Sequence, residues 1–165
     1  MTLWLVAFCL LTAVIAGDPR PASTAEEREK AVRIAHALEE DPLNPDVQAE
    51  RPWLITWLEE VPDISVDVCL ELIDPLLKSE TPLAAGLSTQ LMLSSAAFVI
   101  EHPDQAADKR ATSLAGLKGV IRAYERASAV DPKARMKFLD GLLEKRDHNE
   151  LDAFVTKGLA KCAQR

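Results

Sequence analysis

The sequence predicts an all-α protein, a compact bundle of about six or seven helices with a central apolar helix at residues 82–101. Apolar side chains recur at spacings of three and four along most of the chain, which indicates helices. Hairpin turns rich in glycine are missing, and the one alternating run, Ile64 to Val68, has no second run to pair with. No charged residue occurs from Thr81 to Ile100, as is typical of the helix at the centre of a bundle.

The N-terminal segment predicts export. Met1 to Gly17 carries no charged side chain, and its apolar core of about a dozen residues ends in small residues, which is typical of a cleaved signal peptide. We expect cleavage between Ala16 and Gly17. An uncleaved N-terminal anchor is the alternative. The predicted organisation is a signal peptide at 1–16, a disordered leader at 17–22 and a single helical domain at 23–165.

The first helix of that domain is predicted by its ends. Ser23 or Thr24 can cap it, because Glu26 and Glu27 follow three residues later in the capping-box position. Apolar side chains then recur at helical spacing until Pro42, which ends the helix.

The second helix is predicted to begin with Asn44 as its cap and Pro45 as its first residue. Pro52 lies inside it and predicts a kink or break, because proline lacks the N–H of a helix interior. Trp53 and Trp57 lie four residues apart on one face of this helix and are the candidate partner-binding residues. The alternative is that both are core side chains with an indole N–H at the rim.

The middle of the chain is predicted to contain a helix that begins near Ser65, a reset at Asp74 and Pro75, and the long apolar helix. A membrane span is the competing interpretation of that apolar helix. Proline, glycine and several hydroxyl side chains make the stretch only moderately apolar, so we favour a core helix.

The C-terminal third is predicted to hold three more helices. His102 and Pro103 close the apolar helix, and Asp131 and Pro132 end the next one. Two short amphipathic helices follow, and Asp147 or Asn149 is expected to cap the last.

The charge balance limits the classes of partner. The chain has 26 acidic and 19 basic residues and a formal net charge of -7. Nucleic acid and anionic lipid both reward clustered Lys and Arg, and the chain has no basic run. We therefore expect no nucleic-acid partner, and no membrane partner after the signal peptide is removed.

Two cysteines, Cys69 and Cys162, remain when Cys9 leaves with the signal peptide. An even number of thiols in an oxidising compartment favours a disulfide between them. The long loop that such a bridge closes is worth about 4 kcal/mol in lost unfolded-state entropy. The alternative is two buried, unpaired thiols.

No catalytic residue, metal site or cofactor is predicted. His36 lies on the first helix without the second histidine of a zinc motif. Asp147, His148, Glu150 and Asp152 are the densest group of potential ligands, but their position between two helices favours capping, and no calcium loop accompanies them.

Two resemblances are present. Val120 to Pro132, with Tyr124, Ala127 and Pro132, resembles the second helix of a tetratricopeptide repeat. A wider set of short segments is similar to secreted helical bacterial proteins of no assigned function, a resemblance that implies no catalytic residue. These segments are Arg51-Pro52-Trp53, Trp57, Val61-Pro62-Asp63, Val66-Asp67-Val68-Cys69 and Tyr124-Glu125.

The sequence thus predicts an exported protein, periplasmic or secreted, that binds an unidentified protein partner rather than catalysing a reaction. One alternative is an enzyme or metal-binding protein whose site is too dispersed to recognise. Another is a membrane-associated protein that uses Thr81 to Ile100.

Overall fold

The computed structural model describes residues 20–164. Over these residues it contains seven α-helices and no β-strand, which confirms the all-α bundle. The predicted signal peptide, its cleavage site at Ala16 and Gly17, and residues 17–19 of the leader lie outside the described residues. The helices are α1 (Ala25–Glu40), α2 (Pro45–Glu60), α3 (Asp74–Leu77), α4 (Pro82–Glu101), α5 (Lys109–Val130), α6 (Lys137–Asp147) and α7 (Leu151–Cys162). Short 3₁₀ turns occur at Leu70–Leu72, Pro103–Gln105 and Pro132–Ala134.

The predicted start of α1 is confirmed. The Thr24 hydroxyl accepts the N–H of Glu27, and the Glu27 carboxylate accepts the N–H of Thr24 in return, which completes a capping box. Arg20, just upstream, donates to Glu27 at 2.7 Å. The prediction that the leader is disordered stays untested, since residues 17–19 of it are not described.

α2 begins as predicted, and of the kink or break predicted near Glu50 and Arg51, the break is wrong. Asn44 caps the helix and Pro45 is its first residue. The helix then continues through Pro52 to Glu60 without interruption. Pro52 is exposed, so the carbonyl that loses its donor lies on the solvent side, where water can replace the missing bond.

Residues 65–69 do not form the predicted helix. The chain is irregular from Val61 to Cys69 and first turns at Leu70–Leu72. Ile64 and Cys69 are nevertheless buried, so side-chain packing holds this segment without a regular backbone ladder. The reset at Asp74 and Pro75 is confirmed, because these residues begin α3.

The predicted cap of α7 is also wrong. Glu150 precedes α7 and caps it with no side-chain bond, while Asp147 is the last residue of α6. Asn149 has a φ of 59°, the left-handed conformation that ends many helices. The N–H of Glu150 donates to the carbonyl of Lys145 at 2.7 Å, so these residues serve the end of α6 rather than the start of α7.

The buried apolar side chains form two clusters, and α4 contributes to both. One cluster joins α1, α2 and the C-terminal half of α4, and the other joins the N-terminal half of α4 to α5, α6, α7 and the Leu70–Leu72 turn. Within the described residues α4 is the one helix long and apolar enough to cross a membrane, and 56% of its most apolar window is buried in the fold. Because these side chains pack on α1, α3 and α5, α4 is the core helix that the sequence predicts.

α4 and α5 pack closely because α5 presents glycines to serines. A Cβ on Gly116 would lie 2.7 Å from the Leu91 carbonyl oxygen, and a Cβ on Gly119 would overlap Ser94 Oγ. Cys69 and Cys162 form a disulfide across 93 residues, with their Cα atoms 6.0 Å apart. This bridge ties the Leu70–Leu72 turn to the end of α7.

Candidate ligand-binding pocket

A cavity of about 390 Å³ opens where α2, α4, α5 and the α1–α2 connection meet. We call it the Arg51 pocket, because Arg51 is the one charged side chain that lines it. Its size is that of many small-ligand sites, and its walls are mostly apolar, as such sites usually are. The other lining residues are Leu38, Pro42, Leu43, Gln48, Pro82, Leu83, Gly86, Leu87, Gln90 and Ala123.

The pocket lies where the two core clusters meet. Leu38 belongs to the cluster of α1 and α2, whereas Leu87 and Ala123 belong to the cluster of α5, α6 and α7. These three side chains are buried, so the inner wall is part of the core surface. Leu43 is 42% exposed and forms part of the rim.

Arg51 is the arginine without a partner. Every other arginine among residues 20–164 forms an ion pair with a carboxylate. Arg51 is half-buried, and its Nε is buried with no acceptor among the described residues. Burial lowers the pKa of its guanidinium, with no carboxylate to oppose the effect. A desolvated cation without a counter-charge is costly, and groups whose pKa is shifted by burial are concentrated at functional sites.

Sequence reasoning missed Arg51 as a site residue, although the sequence holds a sign of its isolation. Side chains three and four residues apart on a helix are neighbours, and those of Arg51 carry no charge. They are Val47, Gln48, Leu54 and Ile55. The adjacent residue, Glu50, points elsewhere and pairs with Arg33 at 2.8 Å.

Gln90 supplies a second unsatisfied group to the pocket lining. Its Nε2 donates to the Ala35 carbonyl at 3.1 Å and to Ser94 Oγ at 2.9 Å. The Ala35 carbonyl can only accept, so this contact fixes which end of the amide is the nitrogen. The opposite atom, Oε1, is buried and has no donor among the described residues.

Behind the pocket, Gln90 connects to a buried carboxylate. Ser94 Oγ donates to Glu39 Oε1 at 2.5 Å, and Glu39 is 2% exposed. The other oxygen, Oε2, accepts from Arg122 Nη2 at 2.5 Å and Nε at 2.9 Å. The charge of Glu39 is thus fully partnered, in contrast to that of Arg51.

The same network ends at His36, in a second cavity of about 350 Å³ that the C-terminal half of α4 lines with Ser94, Phe98 and Glu101. His36 Nδ1 lies 3.2 Å from Glu39 Oε2, and Nε2 lies 3.1 Å from Glu101 Oε1. Burial alone would lower the pKa of His36, but hydrogen bonds to Glu101 and Glu39 outweigh it, and the pKa is raised. The two carboxylates therefore favour an imidazolium that bridges α1 and α4.

The candidate pair Trp53 and Trp57 lies at the α1–α2 interface rather than in the Arg51 pocket. Trp57 is buried at 3% exposure, and Trp53 is half-buried. The rings stack with centroids 5.9 Å apart, and Lys30 Nζ lies 3.8 Å above the Trp53 ring. Their role in binding a partner stays a prediction. Of the two side chains, only Trp53 has enough exposed surface to contact a partner.

The two cysteines and the potential metal ligands singled out from the sequence have other partners in the structure or form no metal site among the described residues. The sulfurs of Cys69 and Cys162 are bonded to each other, so neither is a free thiol. Between Arg20 and Gln164, no group of three or more His, Cys, Asp or Glu side chains is arranged to hold a metal ion. Asp152, from the group between α6 and α7, pairs with Arg110 on α5 at 2.5 Å.

Comparison of the chain with protein families, with curated proteins and with solved structures finds no match.

Proposed function

We propose that the chain is an exported binding protein, and that it holds a segment of a partner protein in the Arg51 pocket. One observation carries the proposal. A preformed apolar cavity contains a half-buried arginine with no ion-pair partner, although every other described arginine has one. Because a half-buried cation without a counter-charge costs stability, a ligand that supplies the missing negative charge is the simplest reason to retain it.

The proposed location outside the cytosol is supported by two features. The uncharged stretch Met1 to Gly17 has the composition of a signal peptide. The bond between Cys69 and Cys162 is compatible with an oxidising compartment, periplasmic or extracellular.

A binding role is favoured over catalysis by the chemistry of the pocket lining. It contains one arginine and two glutamines, and none of its side chains is a nucleophile or a general base. Such a lining can recognise a charge and bury an apolar group.

The proposal is tested by photo-crosslinking in the cells that produce the protein. A photoreactive amino acid replaces Leu43 at the pocket rim, and the same amino acid replaces Leu70, an exposed leucine away from the pocket, as the control. We expect a defined protein adduct from position 43 that does not form from position 70.

A second substitution ties the adduct to the pocket. Gly86→Leu places a side chain against Arg51, whose guanidinium is 3.1 Å from the added Cβ, and leucine favours the helix more than glycine does. We expect it to fill the pocket and abolish the adduct. The same adduct from both positions, or an adduct from position 43 that survives Gly86→Leu, contradicts the proposal.

A further inference from the structure

We infer that the Arg51 pocket binds a polypeptide C-terminus whose last side chain is apolar. The inference rests on the proposed function and names the chemistry of the segment that the partner supplies. The main-chain carboxylate would pair with Arg51, and the last side chain would lie against the leucines of the pocket. Four features of the pocket support it.

The first feature is the single positive charge. A guanidinium presents a planar fork of N–H donors that matches a carboxylate with two parallel hydrogen bonds. Arg51 is the one cationic side chain that lines the pocket. One cation balances a carboxylate, whereas a doubly charged phosphate would remain half-neutralised among apolar walls.

The second feature is the start of α4. Pro82 and Leu83, in its first turn, line the pocket, so the pocket lies beside the positive end of a 20-residue helix. The first turns of α1 and α2 contain Glu26, Glu27 and Asp46, whereas that of α4 contains no acidic residue. A bound carboxylate would interact favourably with this uncompensated end.

The third feature is the apolar surface next to the charge. Leu38, Leu83 and Leu87 line the same cavity as Arg51. In a C-terminal residue the carboxylate and the side chain share one carbon atom, so both fit in a cavity of about 390 Å³. An internal aspartate or glutamate would bring the polar main chain on both of its sides against the same leucines.

The fourth feature is the acceptor without a donor. Gln90 lines the pocket, and its buried Oε1 lacks a hydrogen bond among the described residues. The last residue of a polypeptide offers a peptide N–H close to its carboxylate, which an alkyl carboxylate lacks. Oε1 has no accessible surface in the free protein, so the Gln90 amide must shift toward the pocket to accept this N–H, and the bond then favours a peptide terminus over an alkanoate.

The inference is tested by NMR titration of the purified full chain with its disulfide intact. The probes are acetyl-alanyl-alanyl-leucine with a free carboxylate, the same peptide as its C-terminal amide, octanoate and inorganic phosphate. We expect the free acid to shift the Gly86 and Leu87 amide signals and to bind at least tenfold more tightly than the amide. Octanoate and phosphate should bind more weakly than the free acid.

Arg51→Gln provides the matched variant. It should reduce the affinity for the free acid to that for the amide and leave the affinity for the amide unchanged, and its thermal unfolding verifies the fold. Equal binding of acid and amide to the wild type, no binding of either, or an acid preference that survives Arg51→Gln overturns the inference. Octanoate or phosphate bound as tightly as the free acid also overturns it.

The two proposals can fail separately. An adduct at position 43 that Gly86→Leu abolishes, together with equal affinity for acid and amide, leaves the proposed function and removes the inference. An acid preference that depends on Arg51, without any adduct at position 43, removes the partner protein and leaves the carboxylate site.

Discussion

At the scale of single residues, Arg51 differs from the other described arginines in its contribution to the stability of the fold as well as in its position. Surface ion pairs such as Arg126 with Glu40, more than half exposed on both sides, contribute little to stability. A half-buried arginine without a partner lowers the stability of the fold instead. Its buried Nε loses its hydrogen bond to water on folding and gains no acceptor in the protein. Where a binding residue lowers the stability of the free protein, a substitution that removes this residue raises that stability.

We predict that Arg51→Met raises the free energy of unfolding by about 1 kcal/mol, because methionine fills similar space without a charge to desolvate. Urea unfolding of the disulfide-intact protein measures it. Arg126→Met is the matched control and should change stability by less than about 0.5 kcal/mol. A loss of stability on Arg51→Met would show that the guanidinium stabilises the free protein and would weaken the case for a ligand.

His36 gives the molecule a stability term that depends on pH. Its pKa is raised in the folded state, since burial is outweighed by Glu101 and Glu39, so folding binds a proton. This contribution is fully present below the unfolded pKa of about 6.5 and is lost as the pH rises through the folded pKa. The side chain is 42% exposed, so solvent screening keeps the contribution below about 1 kcal/mol.

We therefore predict that the wild type is more stable than His36→Gln at about pH 5 and that this advantage shrinks at about pH 8. Denaturant unfolding of both proteins at the two pH values measures the difference. The other titratable groups are the same in both proteins, so their contributions to the pH dependence largely cancel in the difference. An advantage that stays constant, or that grows with pH, contradicts the assigned role of the two carboxylates.

At the scale of elements, predictions based on local chemistry were confirmed where the local bonds form. Thr24 with Glu27, Asn44 with Pro45, and Asp74 with Pro75 each begin a helix as their residue types indicate. In each case the bond or the fixed φ lies within four residues. The sequence states such interactions directly.

Predictions failed where contacts from distant residues or solvent exposure decide the outcome. The irregular segment of residues 65–69 is flanked by the buried Ile64 and ends at the bond of Cys69 to Cys162, neither of which a helical period reveals. Pro52 is tolerated because it lies on the exposed side of α2, which depends on where α1 packs. The Arg51 pocket was missed for the same reason, since its walls come from α2, α4 and α5.

The approach of α4 to α5 supports a prediction at this scale. Gly119→Ala would place a methyl group against Ser94 Oγ and Glu39 Oε1, so the buried network must move. We predict a loss of about 2 kcal/mol. Gly141→Ala is the control, since a Cβ there meets nothing within 4 Å and should stabilise α6 by about 0.5–1 kcal/mol. Urea unfolding compares the two, and an equal effect would contradict the close packing.

At the scale of the whole molecule, the two apolar clusters explain where a cavity can form. Each cluster is closed by its own helices, and α4 runs through both. The Arg51 pocket occupies the outer part of their junction, where α2 meets the start of α4. The number of helices can be predicted from the periodicity of the sequence. Which helices contact each other depends on the whole fold.

The disulfide stabilises the cluster that contains α5, α6 and α7. It joins Cys69, before the Leu70–Leu72 turn, to Cys162, at the end of α7, and Leu72 packs against Gly158 beside it. The bridge closes 93 residues, so most of its effect is the restriction of the unfolded chain. We predict that Cys69→Ala with Cys162→Ala lowers the free energy of unfolding by about 3–4 kcal/mol.

Denaturant unfolding with and without dithiothreitol measures this loss. The reductant should lower the stability of the wild type to nearly that of the double variant and leave the double variant unchanged. Neither cysteine and no residue of α7 lines the Arg51 pocket, so the folded double variant should keep the same preference for a free C-terminal carboxylate. A stability change below about 1 kcal/mol would mean that packing of α7 on the Leu70–Leu72 turn holds the C-terminal helix without the bridge.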